Sequence, residues 1–232
     1  MTDLSQFLSI LGFENAGHSR WIRRFDYPAT GEYVITVDTD RKVIDYPRPI
    51  ILGDRTTSNL DHPENFVVLE CVCRLLNKGY DPATLILEKR YQLGRGASGG
   101  KSDITVLQRA PDPAEQENAP PLLIIECKTP GTEHDAEKRK TIEEGGQLFG
   151  YFQQDRSATH LCIYSSQIFE LTGEIEYRSD IIQVKDTDEA REKFAKKEKA
   201  ENHSAARQAV PLFEHAHNRE TLHHAWKTTY SG

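Results

Sequence analysis

The sequence lacks the features that define several large classes of protein. No apolar run approaches the roughly 20 residues that are needed to span a bilayer, so we expect no membrane partner. The N-terminus has neither the basic start nor the small-residue cleavage site of a signal peptide. The four cysteines show no metal-ligand spacing such as CxxC. We therefore expect reduced, mostly buried thiols in a cytoplasmic protein.

Positive charge is also in short supply. The chain has 29 Lys and Arg residues against 36 Asp and Glu residues, which gives a formal net charge of −7. This acidic balance argues against a generic nucleic-acid coat protein, although it leaves room for a local basic groove. The sequence contains no strand–GxxxxGK[ST]–helix phosphate-binding loop and no methyltransferase signature. We therefore predict neither an ATP-driven motor nor a methylating module within it.

The sequence does contain enough apolar residues for one folded core. Of the 232 residues, 37% are hydrophobic, and the length is short for two full domains. We predict an α/β protein in three parts. Residues 1–60 form an N-terminal layer of a helix and a β-hairpin, residues 61–185 form the core, and residues 186–232 form a charged helical extension. We expect that extension to lead into a downstream domain that the sequence does not include.

The predicted core begins with a helix and three strands. The helix has Asp61 as a candidate N-cap, Pro63 in its first turn and Gly79 as its stop. The strands are "ATLILEKRYQLG", "SDITVLQ" and "LLIIECKT". A second helix follows and includes "GGQLFGY"; the next strand is "THLCIYSS". Because a strand–helix–strand crossover favours parallel pairing, we expect that last strand to lie parallel to a neighbour.

Two acidic residues lie at strand ends that a hairpin would bring together. Asp103 is near the start of the second strand, and Glu126 closes the third strand 23 residues later. Two carboxylates at close range repel unless a cation lies between them, and oxygen ligands of this kind suit Mg²⁺. The backbone carbonyl of Cys127 could add a ligand. Lys128 could orient or help deprotonate an attacking water and stabilise charge on a phosphate. The pattern indicates metal-assisted phosphodiester hydrolysis.

Each of these residues also has a plain structural interpretation. Glu126 and Lys128 could form a salt bridge at the strand end, and Asp103 could be a turn residue. Gln147 and Tyr151, one helical turn apart, could be an exposed helix position and a core aromatic residue.

Taken in order, the motifs resemble the PD-(D/E)XK nuclease superfamily. "SDITVL…IIECK" is similar to its D…ExK core, and "GGQLFGY" is similar to the Q-x-x-x-Y motif of one subgroup. The resemblance covers roughly residues 46–170. It is strongest to the N-terminal endonuclease domain of type I restriction enzymes (the R subunit) and related restriction-modification proteins. Ser102 stands where the superfamily name has Pro, a common departure.

The resemblance implies a restriction-endonuclease-like fold for residues 61–185, with a mixed β-sheet core in the order αβββαβ flanked by helices. It implies Mg²⁺, with Mn²⁺ as a substitute, bound by Asp103 and Glu126. It assigns catalysis to Lys128, and to Gln147 and Tyr151 the positioning of DNA or the bracing of the active site.

The resemblance further implies an acidic residue on the first helix, for which two candidates exist. Glu64 is near the favoured position, but it lies three residues after Asp61, so a capping role explains it equally well. Glu70 has Arg74 at i+4, the spacing of a plain surface ion pair. We favour Glu64 slightly.

A basic stretch leads directly into Asp103 and holds Lys89, Arg90, Arg95 and Lys101. We predict that these residues follow the DNA phosphate backbone; the alternative is a solubilising loop.

A histidine group near the end of the chain lacks the cysteines or HExxH pattern of a zinc site and is interpreted as a surface cluster. It consists of His215, His217, His223 and His224.

The function implied by the resemblance is that of a Mg²⁺-dependent DNA endonuclease domain of a type I-like restriction-modification system. Its partners would be double-stranded DNA and the domains or subunits that supply specificity, methylation or ATP-driven translocation. One alternative is a non-catalytic DNA-binding or assembly module that keeps the nuclease fold. Another is a stand-alone repair or junction nuclease, which would be expected to form dimers and to cut selectively by DNA structure.

Overall fold

The chain is a mixed α/β protein with two β-sheets, which confirms the predicted fold class at this level. The computed structural model describes residues 4–27, 31–91, 100–112, 119–144, 146–155, 157–158, 160–169, 172–183 and 212–213. The helices in these ranges are α1 (Leu4–Ile10), α2 (Pro63–Asn77), α3 (Thr132–Glu144) and α4 (Gly146–Gln154). None of these helices is long and apolar enough to cross a membrane.

The first sheet is antiparallel, with its four strands side by side in chain order. They are β1 (Glu14–Asn15), β2 (Arg20–Tyr27), β3 (Gly31–Asp38) and β4 (Val43–Asp45). The predicted hairpin is confirmed as β3 and β4, with Val37 opposite Ile44. Strand β2 was not predicted from the sequence. The feature of the sequence that could have indicated this strand is the pair of aromatic residues Trp21 and Phe25, both of which are buried.

The second sheet has seven strands in the order β11-β10-β9-β8-β7-β6-β5. They are β5 (Ile51–Leu52), β6 (Leu85–Arg90), β7 (Lys101–Leu107), β8 (Pro121–Cys127), β9 (His160–Phe169), β10 (Glu174–Gln183) and β11 (Leu212–Phe213). The three predicted core strands correspond to β6, β7 and β8. As predicted, β9 lies parallel to its neighbour β8. The pair β5 and β6 is also parallel, and the remaining pairs are antiparallel.

The element order along residues 63–169 is helix, three strands, two helices and a strand. The predicted second helix is divided into α3 and α4. Strand β5 comes from the segment assigned to the N-terminal layer, yet it pairs with β6 in the second sheet. The predicted helical extension lies outside the described residues, except that residues 212–213 form β11 rather than helix.

Side chains that alternate along β8 fill two different apolar clusters. Leu123 and Ile125 belong to the cluster that also contains α2 and the first sheet. Ile124 belongs to the cluster on the other face, with Leu148 and Tyr151 of α4. Because successive strand side chains point to opposite faces, β8 is buried on both sides. The four cysteines are free and buried, as predicted.

The two ends of α2 differ in how well the sequence predicted them. The helix starts after His62, which is its N-cap, so the prediction of Asp61 in that role was wrong. Asp61 instead contacts Lys42 at 3.3 Å. At the other end, Gly79 follows the C-cap with a φ of 90°, a conformation that suits glycine and ends the helix as predicted.

A buried ionic cluster fastens α3 to β10. Asp180 Oδ2 lies 2.7 Å from His134 Nε2 and 3.1 Å from Arg178 Nη2, and its other oxygen lies 3.2 Å from Lys138 Nζ. Burial raises the pKa of Asp180, but the His134 hydrogen bond and the nearby cations outweigh it and hold that pKa below its usual range. The carboxylate is therefore charged and central to the packing of this helix.

Replacing Asp180 with Ala should destabilise the fold by about 3 kcal/mol, because it leaves buried cationic groups without their anion. Chemical denaturation measures this loss. The matched control is Asp135→Ala, since Asp135 pairs with the same Arg178 but its side chain is 63% exposed. The control should lose less than about 1 kcal/mol. Equal losses in the two variants would contradict a central role for Asp180.

Candidate functional site

The pairing of β7 with β8 brings the two predicted strand-end carboxylates together. Ile104 lies opposite Ile125, so the preceding residue, Asp103, comes level with the end of β8. Its Oδ2 accepts a hydrogen bond of 2.7 Å from the backbone N–H of Cys127. Asp103 is thus fixed beside Glu126, as the hairpin argument predicted.

Lys128 links this pair to the start of α2. Its Nζ lies 2.8 Å from Glu126 Oε1 and 3.2 Å from Glu64 Oε1. The backbone N–H of Lys128 donates to Tyr164 O at 2.8 Å, which fixes the chain just beyond β8. The salt bridge between Glu126 and Lys128, which was the structural alternative to a catalytic role, is therefore present. Glu64 joins it from another element, which the spacing of Glu126 and Lys128 alone did not predict.

The structure separates the two acidic candidates on α2. Glu64 lies in the first turn and reaches Lys128. Glu70 lies about two turns further along, where it binds Arg74 and accepts a 2.5 Å hydrogen bond from the hydroxyl of Tyr164. The prediction that Glu70 and Arg74 form a surface pair was wrong, since their side chains are only 3% and 11% exposed. Only Glu64 of the two contacts the strand-end residues.

The carboxylates of the site are held in an unfavourable environment for negative charge. Burial raises the pKa of Asp103 to about 6, and the charges of Glu64 and Glu88 act in the same direction. Burial, and then the charge of Asp103, raises the pKa of Glu126 to about 8. The Cys127 N–H and Lys128 lower the pKa of Asp103, and Lys128 lowers that of Glu126, but they do not offset the burial.

Lys128 remains an ammonium group. Burial lowers the pKa of Lys128, but the charges of Glu126, Asp103 and Glu64 outweigh burial and hold it above its usual range. A group that keeps its proton so firmly can donate hydrogen bonds and stabilise negative charge. It is poorly suited to removing a proton from water, which leaves stabilisation of negative charge as the role that its protonation state fits.

The donor set fits a divalent cation. Within the described part of the chain, no group of three or more His, Cys, Asp or Glu side chains is gathered as a metal cage. However, Glu126 Oε2 is buried and makes no hydrogen bond, and a buried carboxylate oxygen without a partner is costly. Asp103 and Glu126, with the carbonyl of Cys127 at the end of β8, are the groups that could hold Mg²⁺.

A cavity of about 180 Å³ opens beside these residues. Its lining includes Thr56, His62, Glu64, Glu88, Lys101 and Asp103. Glu88 and Thr56 were not predicted from the sequence as residues of this site. The available signal for Glu88 was an acidic residue directly after the apolar residues of β6 and before Lys89 and Arg90. A larger cavity of about 600 Å³ lies elsewhere and is lined by Glu70 and Arg74 rather than by the strand-end carboxylates.

The two residues of the QxxxY motif have different surroundings. Tyr151 is fully buried, stacks on Tyr91 with ring centroids 4.8 Å apart, and donates a 2.7 Å hydrogen bond to the carbonyl of Lys101. It is therefore a core aromatic residue that also braces the start of β7. Gln147 lies one turn earlier on α4 and is exposed.

The predicted DNA-binding residues are only partly gathered at this site. Lys101 lines the cavity, whereas Lys89 forms an ion pair of 3.0 Å with Asp155 beyond the end of α4. Arg90 is largely exposed and lies 2.8 Å from Asp54. The predictions for Arg95 and for the histidine cluster lie outside the described residues.

The raised pKa values predict how the stability of the metal-free protein depends on pH. Carboxyl groups whose folded pKa exceeds the unfolded value stabilise the fold at low pH, and that stability is lost as pH rises through about 6 for Asp103 and about 8 for Glu126. Tm should therefore fall between about pH 5 and about pH 8.5, and added Mg²⁺ should raise it most at the upper end.

Thermal unfolding of Glu126→Gln is the informative comparison. This variant should lose much of the pH dependence and much of the response to Mg²⁺. Glu14→Gln, which changes an exposed carboxylate of the first sheet, should behave as the wild type does. A Glu126→Gln variant that follows the wild type at every pH would contradict the shifted pKa values.

Comparisons with known proteins add no assignment to this geometry. No family model matches the chain, and no curated protein matches it. The support for a function therefore comes from the chain's own residues: the strand-end carboxylates, the ammonium group between them and α2, and the cavity beside them.

Proposed function

We propose that this chain is a Mg²⁺-dependent DNA endonuclease domain of the PD-(D/E)XK type, acting on double-stranded DNA. The observation that carries the proposal is the cluster at the ends of β7 and β8. There, Asp103 and Glu126 lie side by side, Lys128 bridges Glu126 to Glu64, and one buried oxygen of Glu126 has no partner. This is a suitable arrangement for a cation and a phosphate.

The architecture supports the same proposal. A central sheet carries α2 on one face and α4 on the other, and β8 lies between the antiparallel β7 and the parallel β9. The order of helix, three strands, helices and strand is the order implied by the resemblance to restriction endonucleases. Fold alone does not define an activity, so the proposal depends on the site residues.

Asp103 and Glu126 would hold the cation. When bound, Mg²⁺ supplies positive charge that stabilises the phosphate as negative charge develops on it, and it lowers the pKa of a bound water. The surroundings of Asp103 and Glu126 prepare these two carboxylates to hold the cation. The Cys127 N–H fixes the Asp103 carboxylate, and burial leaves Glu126 with a strong preference for a cationic partner.

Lys128 would contact the scissile phosphate directly. Its ammonium is held at the end of a rigid strand by Glu126 and Glu64 and keeps its proton. A preorganised donor aimed at developing charge loses little energy to rearrangement during the reaction, which makes it an effective catalytic group. Glu64 is a positioning residue, because it acts through Lys128.

Tyr151 and Gln147 would serve the site from α4. Tyr151 holds the carbonyl of Lys101 and so sets the first residues of β7, two positions before Asp103. Exposed Gln147 is available for contact with DNA, as are Arg90 at the end of β6 and Lys101 at the start of β7. We further propose that the domain works with the specificity, methyltransferase or motor modules of a type I-like restriction-modification system.

Supercoiled plasmid tests the proposed activity. The wild-type chain should nick it with Mg²⁺ or Mn²⁺ and not with EDTA. Asp103→Asn should abolish nicking, and Lys128→Met should slow it by about 100-fold, the typical effect of removing one donor to a developing charge. Equal nicking by all three proteins would indicate a contaminant. Binding of Mg²⁺ and DNA without nicking would favour the non-catalytic binding module.

Glu64 and Glu70 form a matched pair for the assignment on α2. Glu64→Gln should slow nicking by about tenfold with little loss of stability, because it removes one partner of Lys128 from a half-exposed position. Glu70→Gln should lower Tm, because the buried Arg74 loses its anion, while folded protein nicks at the wild-type rate. The reverse pattern would show that Glu70 is the acidic residue of the site.

A further inference from the structure

Three acidic residues form one row across adjacent strands, and the third has no role in the proposed function. Glu88 of β6, Asp103 of β7 and Glu126 of β8 follow one another across the sheet. The pairing register of β6 with β7 is the same before and after the position of Glu88 and Asp103. The pairs on either side, Leu87 with Ile104 and Lys89 with Ser102, are strand partners, but Glu88 and Asp103 are not paired.

The backbone explains the interruption at Glu88. Its φ is 56°, in the left-handed region that side chains other than glycine seldom adopt. Gly53, which directly follows β5, packs closely against this backbone. The N–H of Gly53 donates to the carbonyl of Leu87 at 2.8 Å, and a Cβ on Gly53 would lie 2.3 Å from the carbonyl oxygen of Glu88. A strained residue persists only where its surroundings determine it, and such residues concentrate at functional sites.

The strained backbone turns the Glu88 carboxylate toward a cation. The carboxylate is buried and accepts hydrogen bonds from the backbone N–H of Thr56, at 2.9 Å, and from its hydroxyl. Lys101 Nζ lies 3.4 Å from Glu88, 2.9 Å from the Thr56 hydroxyl and 3.0 Å from Asp54. The side chain of Lys101 is 28% exposed, so its ammonium is fixed and yet reachable from the cavity.

Lys101 is held at its backbone as well, by the hydroxyl of Tyr151. It lies two residues before Asp103 on the same strand. Residues at this spacing share a face and lie roughly 7 Å apart. An ammonium so placed lies beside the proposed cation rather than at it, which suits contact with a neighbouring phosphate of the same DNA strand.

We propose that Glu88 is a positioning residue that holds the Lys101 ammonium for contact with the phosphate next to the one that is cut. The inference rests on the proposed function. The proposed role accounts for three features together: the strained backbone at Glu88, the close contact with Gly53 and the hydrogen bonds from Thr56. It also assigns Lys101 a contact with a specific phosphate.

The salt dependence of DNA binding tests the Lys101 contact. Affinity for a short duplex is measured over a range of salt with Ca²⁺ in place of Mg²⁺, so that the duplex stays intact. Each neutralised phosphate adds about 0.9 to the slope of log affinity against log salt. Lys101→Met should lower the slope by about that amount. Lys42→Met removes the same charge from the first sheet and should leave the slope unchanged. An unchanged slope for Lys101→Met overturns the inference.

Cleavage by Glu88→Gln tests the positioning role. The amide can still bind Thr56, and the loss of a negative charge should not weaken DNA affinity. The rate at saturating DNA should nevertheless fall by about tenfold, because Lys101 is no longer held. Glu88→Gln combined with Lys101→Met should be no slower than Lys101→Met alone. Effects that multiply, or a lost affinity with an unchanged rate, overturn the inference.

Two controls separate the possible failures. If Glu88→Gln does not fold, Asp54→Asn removes the other carboxylate on Lys101 without altering the strained residue, and the same fall in rate is expected. Wild-type protein that binds DNA but never cuts it would overturn the proposed function together with this inference. Wild-type cutting that is insensitive to Glu88→Gln and Asp54→Asn would overturn this inference alone.

Discussion

The hydrogen bond from the Cys127 N–H to the Asp103 carboxylate is the contact on which the candidate site depends. It exists because β7 and β8 pair in a register that brings one strand's start level with the other's end. That register forces two carboxylates into one buried place. Burial raises the pKa values of both Asp103 and Glu126, and the charge of Asp103 raises that of Glu126 further.

The rest of the fold serves to keep that place rigid. Strand β8 is buried on both faces, with α2 packed on one side and α4 on the other. Each helix delivers one side chain to the site. The first turn of α2 provides Glu64 for Lys128, and α4 provides Tyr151 for the carbonyl of Lys101. Groups held on regular elements in this way keep their geometry better than groups on loops.

Two lysines balance the acidic row in different ways. Lys128 follows Glu126 along the chain and is shared with Glu64, while Lys101 is held by Glu88 on the adjacent strand and by Asp54 just beyond β5. Each ammonium group is therefore shared between two carboxylates within an acidic site.

Much of the fold could be predicted from the sequence, because the information for it was local. The apolar runs of β6, β7 and β8, the stop at Gly79 and the crossover to β9 depend on patterns within a few residues. The meeting of Asp103 with Glu126 followed from the hairpin. The sequence favoured Glu64 over Glu70 only slightly, and it did not predict the burial of Glu70 with Arg74 or the contact of Glu88 with Lys101. They depend on contacts between residues far apart in the chain and on a left-handed backbone within a strand, which only tertiary packing decides.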